Sequence, residues 1–462
     1  MKKIIFILIS LVLLVSCERK IDEFKPDANG VDFSNFVAVG NSLTSGYANG
    51  ALYKSGQENS IPNIMAQQFK LVGGGEFRQP LLETEDGVGV SITSNGFYYT
   101  TKLSLQLIPD MDCDGKPYGT YSLKPSLYNP NVDQNTLKTN LLAKPAMDGP
   151  YNNMAVPGAT AQTLFMSGYG LWNPFFKRFA TNLSTSIMAD AVVQKPTFFY
   201  LWIGNNDVLA SALEGTDRLI TPVDTFAKYF TRAVKSLAES GKSPKGVVAT
   251  IPDVASAAYF STISSKLPYN SVNLTAAEAS GLNTLYSMYG HPEIVWKEGK
   301  NPFVIANSET EWVQMGPEDL FLLNFPTDSV KCKGMGVADQ SGAIPKPYPI
   351  PGEYVLDKNE QTNIQNAIKQ YNEIILANAV QYNLAVADMN AYMKTLQPGI
   401  IFDGIKMSLQ FVQGGVFSTD GLHLTPRGNA MVANRFIQAI NSKYGCNIPQ
   451  VDVTQYKGIV FP

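Results

Sequence analysis

Histidine and cysteine are scarce in this chain: its 462 residues include two histidines and four cysteines. Base-assisted chemistry near neutral pH usually uses an imidazole, so only His291 and His423 are candidate bases. The cysteines form no C-x-x-C pair, which argues against a zinc site. Lysine and arginine are nowhere clustered, so the sequence gives no sign of a nucleic-acid-binding surface.

The chain has one long apolar run, Ile4–Val15, which follows two lysines at the N-terminus; no comparable run occurs later in the sequence. Its twelve residues are too few to span a bilayer, which needs about 20, and the pattern is typical of a secretory signal. The tetrapeptide Leu-Val-Ser-Cys that ends at Cys17 resembles the bacterial lipobox, and the resemblance implies cleavage before Cys17 and lipidation of that residue. We therefore expect a signal peptide over 1–16, a polar tether over 17–35 and a lipid anchor in the bacterial cell envelope, at the outer membrane. An ordinary signal peptide with an accidental cysteine is the alternative.

Five short apolar runs alternate with helically spaced apolar residues along the rest of the chain. Continuous runs of this length are typical of strands that are buried on both faces of a parallel sheet. The alternation predicts an α/β fold, a doubly wound parallel sheet in three layers, with one domain over 36–443 and a C-terminal tail over 444–462. The runs are 36–40, 154–156, 197–203, 246–251 and 384–388.

Two stretches, 71–150 and 256–355, interrupt this alternation without a clear period. We expect them to be insertions that form a cap or lid over the domain. Cys113 lies in the first insertion and Cys332 in the second. If the insertions touch, these two cysteines are the best candidates for one disulfide, which would leave Cys446 free; the bond requires Cα atoms within about 7 Å.

The first insertion also contains alternating carboxylates, Asp110, Asp112 and Asp114, which are followed by a glycine as at the start of a calcium-binding loop. The twelfth position of such a loop would be Tyr121 instead of the usual glutamate. An acidic turn without a metal is the alternative, and the sequence favours it.

Polar residues follow the apolar runs, at the edge where ligands bind beyond the carboxyl ends of parallel strands. Ser42 follows the first run, Gly158 the second and Asn206 the third, while Asp420 and His423 come near the end of the chain. Acyl transfer to serine needs such a set, because the hydroxyl requires a base and the oxyanion requires hydrogen-bond donors. Each residue alone is explained by a turn or a helix cap, but the set together favours catalysis.

Four sequence blocks contain these residues, and in this order they resemble the blocks of the SGNH, or GDSL, hydrolase family. The family's aspartate before the serine is Asn41 here, which changes local hydrogen bonding without removing a member of the catalytic triad. The blocks are Val39–Gly46, Asn153–Thr160, Gly204–Asp207 and Asp420–His423.

The resemblance implies a role for each of these residues and neither a metal nor a cofactor. Ser42 is the expected nucleophile, His423 its base and Asp420 the acid that orients the base. The N–H groups of Ser42 and Gly158 and the side-chain amide of Asn206 are the expected oxyanion donors.

The function expected from this set is a serine ester hydrolase, similar to lipases and esterases, that acts through an acyl-enzyme on a small-molecule, glycan or lipid ester. An O-acyltransferase would use the same residues and differs only in the acceptor. A non-catalytic lipoprotein that binds glycan or lipid is the other alternative, although it has no need of all five residues. Asp207 is the rival to Asp420 as the triad acid, and we expect a structural or surface role for His291.

Overall fold

A parallel four-stranded sheet forms the centre of the computed structural model, which describes residues 24–462 except 95, 242, 309 and 403. The predicted signal peptide and Cys17 lie outside the described residues. Every residue of the two neighbouring strands at one side of the sheet is buried, as expected where helices cover both faces. In spatial order the strands are Phe36–Gly40, Phe198–Trp202, Lys245–Ala249 and Ala385–Ala387.

The remaining predicted strand pairs with the edge of this sheet without forming a regular strand. The N–H of Ala38 donates to the carbonyl of Asn152 at 2.8 Å, and the N–H of Met154 donates to the carbonyl of Ala38 at 2.8 Å. The N–H of Val156 then donates to the carbonyl of Gly40 at 3.1 Å. With this segment the order along the sheet is 2-1-3-4-5, which is that of flavodoxin-like sheets.

Helices cover both faces of the sheet, so the predicted doubly wound α/β fold is confirmed. On one face Phe436 packs against Tyr200 with ring centroids 4.5 Å apart, and on the other Phe226 stacks on Tyr371 at 4.1 Å. The first helical layer consists of Ile61–Lys70 and Pro426–Tyr444. The second consists of Ile187–Val192, Asn206–Leu213, Val223–Ala238 and Lys358–Gln381. The shorter helices of the domain are Ser42–Ser45, Lys54–Glu58, Pro174–Lys177 and Met389–Leu396.

The first predicted insertion contains regular elements although its sequence shows no clear period. Two antiparallel hairpins are followed by a helix, and the base of the longer hairpin is buried at Leu105. The hairpins are Gly89–Thr93 with Gly96–Thr100 and Leu103–Met111 with Pro117–Leu127, and the helix is Gln134–Leu142.

The second predicted insertion builds small apolar clusters of its own, one around Phe303 and Phe321 and another around Tyr286 and Trp296. It is therefore a subdomain with its own packing, joined to the main domain at both ends. Its helices are Ala258–Lys266, Ala276–Met288 and Thr327–Lys333. Its strands are Val272–Leu274, Gly299–Asn301, Val304–Ala306, Trp312–Gln314, Leu320–Phe321, Val337–Asp339, Lys346–Tyr348, Ile350–Pro351 and Val355–Leu356.

A disulfide joins the two insertions. Cys113 at the tip of the long hairpin is bonded to Cys332 in the helix Thr327–Lys333, with Cα atoms 5.2 Å apart. The neighbouring Lys331 reinforces this contact, because its Nζ donates to the hydroxyl of Tyr118 at 3.0 Å. The predicted pairing is confirmed, and Cys446 is free and buried.

Asp110, Asp112 and Asp114 lie at the end of the same hairpin, on either side of Cys113. Asp112 Oδ1 accepts from the N–H groups of Asp114 at 2.9 Å and Lys116 at 2.8 Å, and Asp110 Oδ2 accepts from the hydroxyl of Thr120 at 3.1 Å. Within the described part of the chain, no three Asp, Glu, His or Cys side chains are grouped as metal ligands would be. These contacts are those of an acidic turn, the alternative that the sequence favoured.

The predicted tether extends too far, because its second half packs on the domain. Val31 and Phe33 are buried, since these two apolar side chains cover the sheet beside the helix Ile61–Lys70. Asp27 and Asn447 exchange backbone hydrogen bonds of 3.2 and 2.7 Å, so the predicted tail is also tied to the domain. In the chain from Phe24 onward no helix is long and apolar enough to cross a membrane.

This pairing of Asp27 with Asn447 lies at the amino ends of the strands. It comes three residues after Tyr444, whose hydroxyl donates to the carbonyl of Gly246 at 2.7 Å. Gly246 is the second residue of the strand Lys245–Ala249. The first described residues therefore lie at the amino ends of the strands. The candidate site residues lie at the opposite, carboxyl ends.

Candidate active site

Ser42 is the first residue of a one-turn helix that follows the strand Phe36–Gly40 at its carboxyl end. The Asn41 side chain caps this helix by accepting from the N–H of Leu43 at 3.1 Å. Gly46 ends the helix with φ of +82°, and a Cβ there would lie 2.5 Å from the Gly56 carbonyl oxygen. Because the first N–H groups of a helix lack intrahelical partners, the N–H of Ser42 is free to serve a ligand.

Asp420 holds His423 through its side chain and through the backbone. Its Oδ2 accepts from His423 Nδ1 at 2.9 Å, while Oδ1 accepts from the N–H groups of Leu422 at 2.9 Å and His423 at 2.8 Å. Burial alone would raise the pKa of Asp420, but the charge of His423 and its hydrogen bonds hold that pKa well below its usual range. An ionised carboxylate only accepts hydrogen bonds, so in the neutral form of the imidazole Nδ1 carries the proton and Nε2 has the lone pair.

A tight turn after the serine helix also binds Asp420, and the sequence reasoning missed it. Ala48 and Ala51 exchange backbone hydrogen bonds of 3.0 and 3.1 Å around Asn49 and Gly50, which have φ of 55° and 73°. Two positive φ angles favour the pair Asn-Gly, the usual sequence of a type I′ turn. The N–H of Gly50 donates to Asp420 Oδ2 at 2.7 Å. The Asn-Gly pair could have predicted the turn, but not its contact with a residue 370 positions away.

Ser418 joins the Asn49–Gly50 turn to the histidine loop, the segment 418–423 that contains Asp420 and His423. Its hydroxyl donates to Asp420 Oδ1 at 3.0 Å and accepts from the N–H of Asn49 at 2.9 Å. Asn49 Oδ1 in turn accepts from the backbone and hydroxyl of Thr419 at 3.1 and 2.8 Å. The half-buried ring of Tyr47 packs 4.8 Å from the ring of His423. Residues near Ser42 thus fix the geometry of the Asp420–His423 pair.

The turn that contains Gly158 is hydrogen-bonded to Asn206 at the carboxyl end of the sheet. Gly158 has φ of +82° in an exposed turn. Asn206 is the first residue of the helix Asn206–Leu213, and its Nδ2 donates to the carbonyl of Ala159 at 2.9 Å. A primary amide has two N–H groups, so one remains for a ligand. Beside it, Asn173 Nδ2 donates to the carbonyl of Pro157 at 2.8 Å, which fixes the turn from its other side.

Asp207, the rival acid, binds this turn and not His423. Its buried Oδ2 accepts from the N–H of Ala161 at 3.0 Å, and burial raises the pKa of Asp207 to about 6. Its backbone carbonyl accepts from the N–H of Thr221 at 2.9 Å. Asp207 therefore holds the Gly158 segment in place, and the carboxylate that contacts His423 is Asp420.

Ser42, Asn206 and His423 line a single pocket, and Gly158 lies outside its lining. The pocket encloses about 660 Å³ of empty space, which includes its open mouth. Among the described residues no hydrogen bond joins the Ser42 hydroxyl to His423. Hydrogen bonds between a nucleophile and its base often tighten only when substrate binds. The evidence that Ser42 and His423 belong to one site is therefore that both line the same pocket.

Both predicted insertions reach the histidine loop. In the first insertion the carbonyl of Leu103 accepts from the hydroxyl of Thr419 at 3.4 Å. In the second the N–H of Tyr259 donates to the carbonyl of Gly421 at 3.0 Å. Ser256 and Ala257 of the second insertion line the pocket. The first insertion supports the loop from outside, since none of its described residues lines the pocket.

His291, the other histidine, lies in the second insertion. Its ring stacks on Trp312 with centroids 3.8 Å apart, and its Nδ1 is 2.9 Å from Glu293 Oε1. The ring is part of the packing of that subdomain and does not line the pocket.

No family model and no curated protein matches this chain. Among solved structures, it is similar to a GDSL-like lipase from Parabacteroides merdae at 10% identity and a TM-score of 0.35, over 90% of this chain and 99% of the lipase. An extracellular lipase from Streptomyces rimosus has 11% identity and a TM-score of 0.32, over 89% and 99%. A peptidoglycan O-acetylesterase has 9% identity and a TM-score of 0.34, over 90% and 93%. These likenesses are loose, so what the site can do follows from its own geometry.

Proposed function

We propose that this protein is a serine ester hydrolase in which Ser42 is the nucleophile. The observation that carries the proposal is the 2.9 Å contact between the ionised Asp420 and Nδ1 of His423. This contact leaves Nε2 as a base, and His423 lines the same pocket as Ser42. A structural histidine has no need of a buried carboxylate that is itself held by four further donors.

In the proposed reaction, His423 Nε2 takes the hydroxyl proton of Ser42 as Oγ bonds to the ester carbonyl carbon. The carbonyl π electrons move to the oxygen, which becomes an oxyanion. The N–H groups of Ser42 and Gly158 and the second amide N–H of Asn206 donate to that oxyanion.

The tetrahedral intermediate then breaks its bond to the alcohol oxygen. The imidazolium of His423 gives its proton to the departing alcohol, and the acyl group stays on Ser42 as an ester. Water repeats the same steps, with His423 as its base, and releases the carboxylic acid. Asp420 stabilises the imidazolium in both halves of the reaction.

A fluorophosphonate probe and a p-nitrophenyl ester test the proposal together. We expect the probe to label Ser42, and Ser42→Ala to abolish both labelling and hydrolysis while the melting temperature is kept. Ser91→Ala, which removes a hydroxyl from an exposed hairpin strand, is the control and should behave as wild type. Labelling without hydrolysis would indicate acyl transfer to another acceptor. An unlabelled Ser42 in a folded protein would instead support a non-catalytic binding lipoprotein.

We also propose that Cys17 carries a lipid that anchors the protein in the bacterial outer membrane. The support is the lipobox-like tetrapeptide behind a short apolar run. We expect the protein to partition into detergent and to contain acyl chains on the peptide that begins at Cys17. Cys17→Ser should move it to the aqueous phase; an aqueous wild-type protein would contradict the anchor.

A further inference from the structure

The pocket beside Ser42 is walled mainly by apolar side chains. At its mouth each catalytic side chain has an apolar neighbour: Leu43 follows Ser42, Leu422 precedes His423, and Leu209 lies one turn after Asn206. These three leucines are half-buried. The inner wall consists of fully or nearly fully buried residues, so the apolar lining continues from the mouth into the domain. The inner residues include Trp202, Met393, Phe417, Leu424 and Val432.

The polar side chains of the pocket outside the catalytic set are already bonded to the protein. Asn41 accepts from the N–H of Leu43 at 3.1 Å and donates to Asn205 at 3.5 Å. Asp253 accepts from the N–H of Ala255 at 3.1 Å and from Gln365 at 3.2 Å. The hydroxyl of Ser256 donates to the carbonyl of Asp253 at 2.6 Å.

Sugar hydroxyls that entered this pocket would lose their hydrogen bonds to water and find few unpaired partners. An unpaired buried polar group costs free energy, whereas an apolar chain gains by leaving water. We propose that the pocket receives an unbranched aliphatic chain of the ester substrate, and that the protein therefore acts poorly on acetyl esters of glycans. This inference rests on the proposed function and deepens it. The chain can belong to the acyl or to the alcohol part of the ester, because both meet at the carbon that Ser42 attacks.

Two series of esters distinguish a chain in the acyl part from a chain in the alcohol part. One lengthens the acyl chain from p-nitrophenyl acetate to p-nitrophenyl decanoate, and the other lengthens the alcohol from ethyl acetate to decyl acetate. We expect kcat/KM to rise up to about fourfold per added methylene in one series and to level off when the pocket is full. Equal or better activity on acetylated glycan, with no rise in either series, would overturn the inference while leaving the hydrolase function intact.

Filling the mouth of the pocket should remove this preference. Leu209→Trp is expected to lower the ratio of kcat/KM for the eight-carbon ester to kcat/KM for the two-carbon member of the same series by at least tenfold. Leu213→Trp is the matched control, since Leu213 is also half-buried on the same helix but does not line the pocket. Ala257→Leu, at a lining position in the second insertion, repeats the test if Leu209→Trp fails to fold. Unchanged chain-length profiles in a folded variant would contradict the inference.

A binding measurement separates the pocket from the chemistry. Calorimetry on Ser42→Ala with octanoate, octanol and acetate should detect binding of one of the eight-carbon ligands and not of acetate. If that ligand binds but the wild-type protein hydrolyses no ester, the hydrolase function fails and the aliphatic pocket stands. If neither eight-carbon ligand binds, the pocket inference fails whatever the hydrolase assay shows.

Discussion

Replacing Asp420 by asparagine tests the site most directly, because the change keeps the size of the side chain and alters its charge and its hydrogen bonding. In the wild-type protein Oδ1 faces two fixed donors, the N–H groups of Leu422 and His423. Oδ2 faces one fixed donor, the N–H of Gly50, and the imidazole of His423, which can exchange tautomers. The amide oxygen of the variant should therefore take the Oδ1 position and its NH₂ group the Oδ2 position.

That orientation reverses the role of the imidazole. An NH₂ group next to Nδ1 forces Nδ1 to accept a hydrogen bond, so the proton moves to Nε2 and the base of Ser42 is lost. A wrong tautomer of this kind costs about 10⁴-fold in kcat in serine hydrolases. The N–H of Gly50 is also left facing a donor, which should lower the free energy of unfolding by about 1–3 kcal/mol.

The assay compares kcat of Asp420→Asn and Asp207→Asn on the same p-nitrophenyl ester. Asp207 is a fully buried carboxyl, and its Oδ1 has no hydrogen-bond partner among the described residues, so an NH₂ group at that position displaces no donor. We expect Asp207→Asn to lose less than about tenfold in kcat. If Asp207→Asn loses more than Asp420→Asn, the triad is wrongly assigned.

Three further outcomes are expected. Asn206→Ala should lower kcat by about 10²–10³ with little change in KM, and a change in KM alone would mean that Asn206 binds only the ground state. Replacing Cys113 and Cys332 together by serine should lower the free energy of unfolding by about 2–4 kcal/mol in denaturant titrations, and peptide mapping that finds Cys446 in a disulfide would contradict the pairing. Burial raises the pKa of Asp207 from 3.8 to about 6 in the folded protein, so the folded state binds the extra proton between these values. Stability should therefore fall as pH rises from about 4 to about 6, and Asp207→Asn should remove that slope; an unchanged slope would refute the assignment.

Short-range patterns in the sequence were sufficient to predict much of the site. Asp420 and His423 are three positions apart, and loop geometry alone allows their side chains to meet. Ser42 and Asn206 directly follow buried strands, so a parallel sheet places them on one edge. Contacts between distant segments could not be predicted in this way. The bond from Gly50 to Asp420 depends on the packing of two loops that share no local pattern.

The errors have the same physical origin. Residues 24–35 read as a tether because they are polar on average, yet Val31 and Phe33 alone suffice to attach the segment, since each buries a large apolar surface. The first insertion reads as irregular because the strands of its longer hairpin are partly or fully exposed over almost their whole length, so they show no regular apolar face. The second reads as irregular because its strands are only two or three residues long, too short for a period of two to emerge. Its apolar clusters form only when separate pieces of chain meet.

The backbone pairing of Asp27 with Asn447 would determine how the domain is oriented on a membrane if Cys17 carries a lipid. It leaves at most ten residues between Cys17 and the domain, a reach of no more than about 35 Å when fully extended. A compact domain of this length is about 50 Å across. A bilayer that held the lipid of Cys17 would thus lie under the amino ends of the strands, with the mouth of the pocket turned away from it. Such a molecule would take its esters from the space beyond its own membrane or from a facing surface, and the lipids around its own anchor would be the esters it reaches least.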